Sequence, residues 1–326
     1  MSMTFFGIAC SSFLLAVFFL KVMQRTIASR PLFMSQGVPL IGGLGMGAAF
    51  FTAIFLCHVL RVPLPAELTG LLSSSFVMLF FGFMDDRREL SVGKKFLVQI
   101  IATSLLIAFG VRTRIVLLNE PLNLALSFIW IIGITNAINL LDVMDGLAGS
   151  VTLVILLSFA GISFLNNDMG TLIFCLSLAG AVLGFLFFNF PPAKIYMGNS
   201  GSHFLGFLLA AISLTVKYAT LENQFALLAP LVILGFPVFD TLFLVLMRLK
   251  KGQSAFNKSE DHMALRFLKI GLSKGKTLLV MLFWALFFAL IGALLTRVSD
   301  LMGWLLLAFS GFSMFVFGKK MARIEV

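Results

Sequence analysis

Long apolar runs separated by short polar segments are the feature that most constrains this chain. Hydrophobic residues make up 60% of its 326 residues and charged residues only 12%, whereas a soluble protein is nearer half apolar and a quarter charged. Because a helix needs roughly 20 apolar residues to cross a bilayer, the runs predict an all-α, polytopic membrane protein with ten or eleven transmembrane helices in a single domain over 1–326. The predicted spans are approximately 4–22, 40–60, 67–84, 96–110, 122–138, 147–165, 171–189, 203–218, 225–247, 277–296 and 301–318.

Basic residues predict the orientation of these spans. With the N-terminus outside, 19 of the 24 Lys and Arg residues fall on the cytoplasmic side, as the positive-inside rule requires. The net charge of +10 is then explained by topology and by attraction to lipid headgroups, and not by nucleic-acid binding. The three cysteines lie singly in apolar runs and are interpreted as packing residues. Gly180 and Gly184 are spaced to pack helices within one chain or between two copies, which leaves a homodimer open.

Two adjacent carboxylates, Asp85 and Asp86, follow the third apolar run. Such a pair at a membrane boundary is repulsive and resists desolvation, so it requires a cation or a proton. Two interpretations are open. Either the pair is catalytic, or Arg87 and Arg88 simply neutralise it.

Four polar residues interrupt the end of the fifth run: Asn136, Asn139, Asp142 and Asp145. Their spacing of three places each beside the next on a helix surface. Carboxylate and amide oxygens suit Mg²⁺, which commonly takes one or two carboxylates with waters and substrate phosphates. The alternative is that one of the acids caps the helix predicted to start near Gly146, but capping needs one of these residues and not four.

Three further segments carry polar residues on the predicted cytoplasmic side or within a span. Residues 189–203 end one helix with prolines and begin the next with glycines, where free N–H groups favour phosphate; a plain interfacial turn is the alternative. Asp240 lies inside the ninth span, and an intramembrane acid is by default a functional candidate. His262 and Arg266 share a helix face and can meet a diphosphate, or they belong to a solvated basic loop.

Taken together, these segments resemble the polyprenyl-phosphate N-acetylhexosamine-1-phosphate transferase superfamily, whose members include enterobacterial-antigen, teichoic-acid and peptidoglycan lipid-carrier enzymes. The resemblance covers nearly the whole chain, and six motifs in order on one predicted membrane face are specific. The motifs are 39–43 (PLIGG), Asp85-Asp86, 136–147, 189–202, 237–240 (PVFD) and 261–266.

The resemblance implies a Mg²⁺-dependent reaction, with Mn²⁺ as an alternative ion, at the cytoplasmic face of a bacterial inner membrane. A polyprenyl phosphate such as undecaprenyl phosphate attacks the β-phosphorus of a UDP-HexNAc, giving polyprenyl-diphospho-sugar and UMP at the start of a cell-surface glycan. The implied catalytic residues are Asp85, Asp86, Asp142 and Asp145. The implied metal ligands are Asp85, Asp86, Asp142 and Asn199. The implied substrate-binding residues are Lys95, Asn136, Asn139, Asn189, Tyr196, His262 and Arg266.

Three departures from the family pattern bear on this expectation. Asn199 stands where the family commonly has Asp, Val143 stands where it has Gly, and His262 is alone where many relatives have clustered histidines. The single histidine favours UDP-GlcNAc over the muramyl-pentapeptide donor. Asn199 predicts weaker metal binding or a compensating acid, and it keeps open a divergent or non-catalytic homologue that binds lipid or nucleotide. A transporter is disfavoured because the acids cluster on one face and no internal repeat is visible.

Overall fold

The computed structural model describes residues 2–27, 30, 33–60, 62, 67–218, 224–255 and 259–324, and the predicted all-α architecture is confirmed. Apart from a short antiparallel pair, β1 (Met34–Ser35) with β2 (Val38–Pro39), its regular elements are helical. The helices are α1 (Ser2–Thr26), α2 (Gly42–Val59), α3 (Glu67–Arg87), α4 (Val92–Ala108), α5 (Glu120–Leu141), α6 (Leu147–Leu165), α7 (Met169–Asn189), α8 (Gly198–Thr215), a 3₁₀ turn (Gln224–Leu228), α9 (Ala229–Ile233), α10 (Gly235–Lys250), α11 (Met263–Lys269), α12 (Lys274–Leu295) and α13 (Asp300–Met321).

Every predicted apolar run lies on a helix, but fewer helices than predicted qualify as membrane spans. Within the described residues, eight helices are long and apolar enough to cross a bilayer, and a ninth crossing exists if α9 and α10, bent by 62° at their junction, form one span. α4 has only 17 residues, and α8 opens with the polar sequence of 198–203. α8 packs against α2, α3 and α5 and is buried along most of its length. Because neighbouring helices and not lipid surround α8, its polar residues do not contact the hydrocarbon of the bilayer.

The two small residues singled out as a packing motif are used within the chain. A Cβ at Gly180 would lie 2.3 Å from the carbonyl oxygen of Ala9, and one at Gly184 would lie 2.6 Å from the Cβ of Ala16. Both neighbours belong to α1, so α1 and α7 pack with their backbones in close approach. These glycines therefore give no support to a dimer interface.

Close glycine contacts also bring the starts of α2 and α8 together. The N–H groups of Gly42 and Gly43 donate to the carbonyl oxygens of Tyr196 and Met197, both at 2.9 Å. A Cβ on Gly43 would lie 2.1 Å from the backbone nitrogen of Gly201, a distance that real structures exclude. The glycines of the 39–43 motif thus allow α2 to hold the beginning of α8 in place.

Candidate functional site

Asp86 caps the N-terminus of α8 from a distant part of the chain. Its Oδ1 accepts a hydrogen bond from the N–H of Asn199 at 2.6 Å, and its Oδ2 accepts one from the N–H of Ser200 at 3.0 Å. Gly198 has a φ of +74°, and a Cβ there would lie 2.7 Å from Asp86 Oδ2. The prediction that the N–H groups at this helix start are free for phosphate is therefore wrong for Asn199 and Ser200.

Asp85 has a different environment from its neighbour in sequence. Its Oδ2 lies 2.5 Å from Nζ of Lys95, and its Oδ1 accepts from the N–H of Leu90 at 2.7 Å. The guanidinium of Arg87 instead lies over the ring of Phe83, 4.2 Å from its centroid. The counter-charge for this buried carboxylate is thus Lys95 rather than the adjacent arginines, and the ammonium predicted to bind substrate is engaged by Asp85.

Amides from two helices meet next to the Asp86 cap. Asn139, at the end of α5, donates from Nδ2 to Asn199 Oδ1 at 3.2 Å and to Ser202 Oγ at 2.7 Å. One turn earlier, the side chain of Asn136 pairs with that of Gln99 through two hydrogen bonds of 2.9 and 3.3 Å. Sequence reasoning missed Gln99, although a lone Gln inside an apolar run was the available signal.

Asp142 is the one acid of this region whose side chain accepts no hydrogen bond or ion pair from the residues that the structure describes. It lies partly buried at the C-terminal end of α5. Burial raises its pKa to about 7, with further contributions from the negative charges of Asp86 and Asp145. The carboxylate of Asp142 is therefore repelled by those of Asp86 and Asp145, which favours binding of a cation.

The capping alternative for Asp142 and Asp145 is wrong. The N-cap of α6 is Gly146, with a φ of +78° and no side-chain cap. Asp145 instead accepts from Nζ of Lys274 at 3.0 Å, on α12. We refer to Asp86, Asn139, Asp142, Asp145 and Asn199 as the acid–amide cluster.

The side chain of Asn189 connects two backbone segments that lead to this cluster. Its Oδ1 accepts from the N–H of Gly146, and its Nδ2 donates to the carbonyl oxygen of Ile195, both at 2.9 Å. Tyr196, which follows, is half-buried, and its N–H donates to the carbonyl oxygen of Pro39 at 2.8 Å. Asn189 thus joins the start of α6 to the segment that leads into α8, and substrate binding by Asn189 or Tyr196 stays a prediction.

Arg266 belongs to a second, separate polar group. Its side chain is 2% exposed, and the guanidinium pairs through Nη2 with Oδ1 of Asp261 at 2.7 Å. Nη1 also donates to the carbonyl oxygen of Met321, the last residue of α13, and to that of Ile324. Burial opposes the charge of Asp261, but Lys251, whose Nζ lies 2.8 Å away, and Arg266 outweigh it and lower the pKa of this carboxyl.

Asp240 and His262 complete this second group. Oδ1 of Asp240 accepts from the N–H of Met263 at 3.4 Å, at the start of α11, while Oδ2 lies 3.7 Å from Nδ1 of His262. That second distance is longer than a hydrogen bond. We call Asp240, Lys251, Asp261, His262 and Arg266 the Arg266 clamp. Binding of a diphosphate by His262 or Arg266 stays a prediction.

The predicted metal site is only partly assembled by the protein. Among the residues that the structure describes, no group of three or more His, Cys, Asp or Glu side chains is placed to hold a metal ion. Asp85 is ion-paired and Asp86 is hydrogen-bonded to α8. Asp142 remains, with Asp86 nearby. Since Mg²⁺ often binds through one or two carboxylates together with substrate phosphates, this pair fits a site that substrate completes.

Comparison with known proteins gives one family model and several related transferases. The profile of glycosyl transferase family 4 matches residues 68–217, which include the acid–amide cluster. A probable undecaprenyl-phosphate N-acetylglucosaminyl 1-phosphate transferase of Bacillus subtilis is 32% identical over 251 residues, covering 74% of this chain and 69% of the relative. A decaprenyl-phosphate N-acetylglucosaminephosphotransferase of Mycobacterium tuberculosis is 31% identical over 283 residues, covering 76% and 69%. A phospho-N-acetylmuramoyl-pentapeptide-transferase of Clostridium beijerinckii is 36% identical over 202 residues, covering 56% and 61%.

Proposed function

Since the chain belongs to glycosyl transferase family 4, we propose that it transfers GlcNAc-1-phosphate from UDP-GlcNAc to a polyprenyl phosphate, with release of UMP. The relatives named for N-acetylglucosamine transfer align with about three quarters of this chain, against 56% for the muramoyl-pentapeptide relative. This difference supports GlcNAc as the sugar. A polyprenyl-linked GlcNAc of this kind would be the first unit of a cell-surface glycan, as the sequence resemblance implies.

The observation that carries the proposal is the electrostatic state of Asp142. Its carboxylate lies close to those of Asp86 and Asp145, yet no described residue donates to it. A partly buried carboxylate among like charges is costly unless a cation joins it. A nucleotide diphosphate that arrives with its cation supplies that charge. The acid–amide cluster is therefore better explained as a substrate site than as a device for stability.

The residues of the cluster have two proposed roles, metal binding and positioning of α8. Asp142, with Asp86 beside it, would hold Mg²⁺, which supplies charge neutralisation for a diphosphate when it is bound. Asp86 also fixes the first turn of α8, which keeps the Asn199 side chain beside Asn139. Phosphoryl transfer depends mainly on alignment and charge stabilisation. A rigid start of α8 contributes the alignment.

The orientation in the membrane is part of the proposal. Lys95 and Lys274 lie at the same end of the bundle as the acid–amide cluster. The basic end of α1 at Arg25 lies there too, because α1 runs parallel to α7, which ends at Asn189. Because cytoplasmic ends carry the excess of Lys and Arg, we place the cluster on the cytoplasmic side of a bacterial inner membrane and the N-terminus outside. Labelling of a single cysteine placed at Arg25 or at Arg297 with an impermeant maleimide tests this placement.

A lipid-transfer assay tests the activity. Membranes containing the protein are supplied with undecaprenyl phosphate, Mg²⁺ and radiolabelled UDP-GlcNAc, and labelled lipid and UMP are measured. We expect product from the native chain and none from Asp142→Asn. If neither the native chain nor Asn199→Asp forms product with any of a panel of UDP-sugars, the transferase proposal is wrong.

Asn199 supports a second candidate, a homologue whose metal site has weakened. That candidate predicts no product from the native chain but product from Asn199→Asp, because the added carboxylate would restore a charged ligand beside Asp86. Equal or lower activity in Asn199→Asp than in the native chain would rule it out.

A further inference from the structure

A cavity of about 680 Å³ lies at the other end of the bundle from the acid–amide cluster. Its walls include the first half of α5, the start of α7 and the last turn of α8. α8 begins beside Asp86 and ends at Thr215. Its 18 residues span roughly 27 Å at 1.5 Å per residue, so the cavity and the cluster occupy opposite sides of the membrane domain. Such a volume is within the usual range for a small-molecule or headgroup site.

An unsatisfied carboxylate lines this cavity. Asp168 is 6% exposed. Its Oδ1 accepts a weak hydrogen bond from the N–H of Thr171 at 3.4 Å, as a cap of α7. Its Oδ2 is fully buried and has no hydrogen-bond partner among the described residues. A buried carboxylate oxygen without a donor is expensive, so the site favours a ligand that brings a positively charged donor.

Aromatic rings accompany Asp168 in the cavity wall. Trp130 and Tyr218 both line it, and their polar atoms are already used, since each donates to Ser213, at 2.8 and 2.9 Å respectively. The rings therefore supply apolar and π surface rather than further donors. An organic cation is attracted to such surface.

Besides the recessed acid, the charged residues that line the cavity are three basic side chains and one acid, the exposed Glu67. Arg114 and Lys217 line the cavity and are exposed, and neither forms an ion pair with the described residues. Arg112, by contrast, is paired with Glu120. A recessed acid with two available cations at the rim matches a zwitterion that carries an ammonium and a phosphate.

Apolar side chains continue the cavity toward the lipid-facing surface. Leu227 and Leu231 line it and are 61% and 47% exposed. In a membrane-spanning chain, such exposed leucines face acyl chains. The ligand is therefore expected to have hydrocarbon tails as well as a zwitterionic head.

We propose that this cavity binds an aminophospholipid of the leaflet opposite to the active site. The primary ammonium donates to Oδ2 of Asp168, the phosphodiester is bound by Arg114 and Lys217, and the acyl chains lie along Leu227 and Leu231. An anionic lipid without an amine would leave Asp168 unsatisfied. A choline lipid carries the charge but has no N–H to donate. The site is independent of the transfer reaction proposed above.

Competitive lipid retention tests this site. The purified full-length protein, delipidated in detergent, is incubated with equal amounts of phosphatidylethanolamine, phosphatidylcholine and phosphatidylglycerol, and the retained lipid is identified by native mass spectrometry. We expect phosphatidylethanolamine to be retained over each competitor by about tenfold, since a hydrogen bond to a charged group contributes about that much. Asp168→Asn keeps the helix cap but should abolish the preference.

Two matched variants make the result specific. Asp300→Asn removes an exposed acid at the start of α13 and should leave the preference unchanged. Lys217→Gln should weaken retention of all three lipids, because all carry the phosphate. Equal retention of the three lipids by the native protein, absence of retained lipid, or the same preference in Asp168→Asn as in Asp300→Asn would overturn the proposal.

Discussion

The acid–amide cluster and the Arg266 clamp both contain aspartates in a mostly apolar protein, but they differ in how the charges of these aspartates are balanced. In the clamp, the carboxylate of Asp261 is paired with both Arg266 and Lys251. In the cluster, Asp142 lies near two other carboxylates and accepts no hydrogen bond from the described part of the chain. A buried charge by itself therefore does not indicate function. What separates the two regions is an uncompensated charge, which costs stability and is retained where a ligand uses it.

The sharpest test of this comparison is Asp142→Asn. We expect a loss of transferase activity of about 10³-fold or more, the scale of electrostatic groups in phosphoryl transfer. The unfolding temperature should stay equal or rise, because repulsion with Asp86 and Asp145 is relieved. Lipid product and thermal unfolding are measured on the same preparation, with Asp300→Asn as control. Activity within tenfold of the native protein would remove Asp142 from the site.

The opposite behaviour is expected for Arg266→Met in the clamp. This change leaves a buried Asp261 with only Lys251, so the free energy of unfolding should fall by about 3 kcal/mol, the lower end for breaking a buried ion pair. Activity per folded molecule should be preserved. Thermal unfolding and UMP release separate the two effects. Lost activity at native stability would instead support the predicted binding of a diphosphate by Arg266.

Asp86→Asn should give an intermediate result, because Asp86 belongs to the cluster and also caps α8. The amide accepts one of the two hydrogen bonds at most, so we expect about 1 kcal/mol less stability, as for loss of a helix cap, together with reduced activity. Denaturant unfolding in detergent and the lipid assay measure the two. A loss of activity without a loss of stability would mean that the cap is not needed to hold α8.

The smallest expected effect is a pH dependence of the clamp. The pKa of Asp261 is lowered in the folded protein, so its stabilising contribution is complete above the unfolded value of about 3.9 and is lost as the pH falls through the folded value. The native protein should therefore lose unfolding temperature below about pH 4 more steeply than Asp261→Asn does. Parallel curves for the two proteins would contradict this assignment.

The helices were predictable from sequence because each apolar run is long and its ends are polar. It was also predictable that four polar residues meet at one end of the bundle, because every second loop between spans lies on the same side of the membrane. These residues are Asp86, Asn139, Asp142 and Asn199. The partners of these residues were not predictable. The cap of α8 by Asp86 joins residues 113 positions apart, and only the packed bundle sets that pairing.

The roles of the two motif residues nearest the C-terminus were the least predictable. His262 and Arg266 are spaced to share a helix face, yet the guanidinium of Arg266 is directed to Asp261 and to the carbonyl oxygen of Met321. Sequence spacing fixes neighbours along a helix, whereas these partners come from the loop before α11 and from the end of α13. The Asn136–Gln99 pair shows the same limit, because it joins two separate helices.

The capped helix α8 also has an electrostatic polarity that acts on both sides of the membrane domain. Aligned peptide dipoles give a helix about half a positive charge at its N-terminus and about half a negative charge at its C-terminus. The positive pole lies at Asp86 and offsets part of that carboxylate's charge, so an incoming diphosphate meets less repulsion from Asp86 than from Asp142. The negative pole, at Thr215, faces the cavity lined by Lys217 and favours a cation there. The dipole of one buried helix thus favours a negatively charged group at one end and a positively charged group at the other.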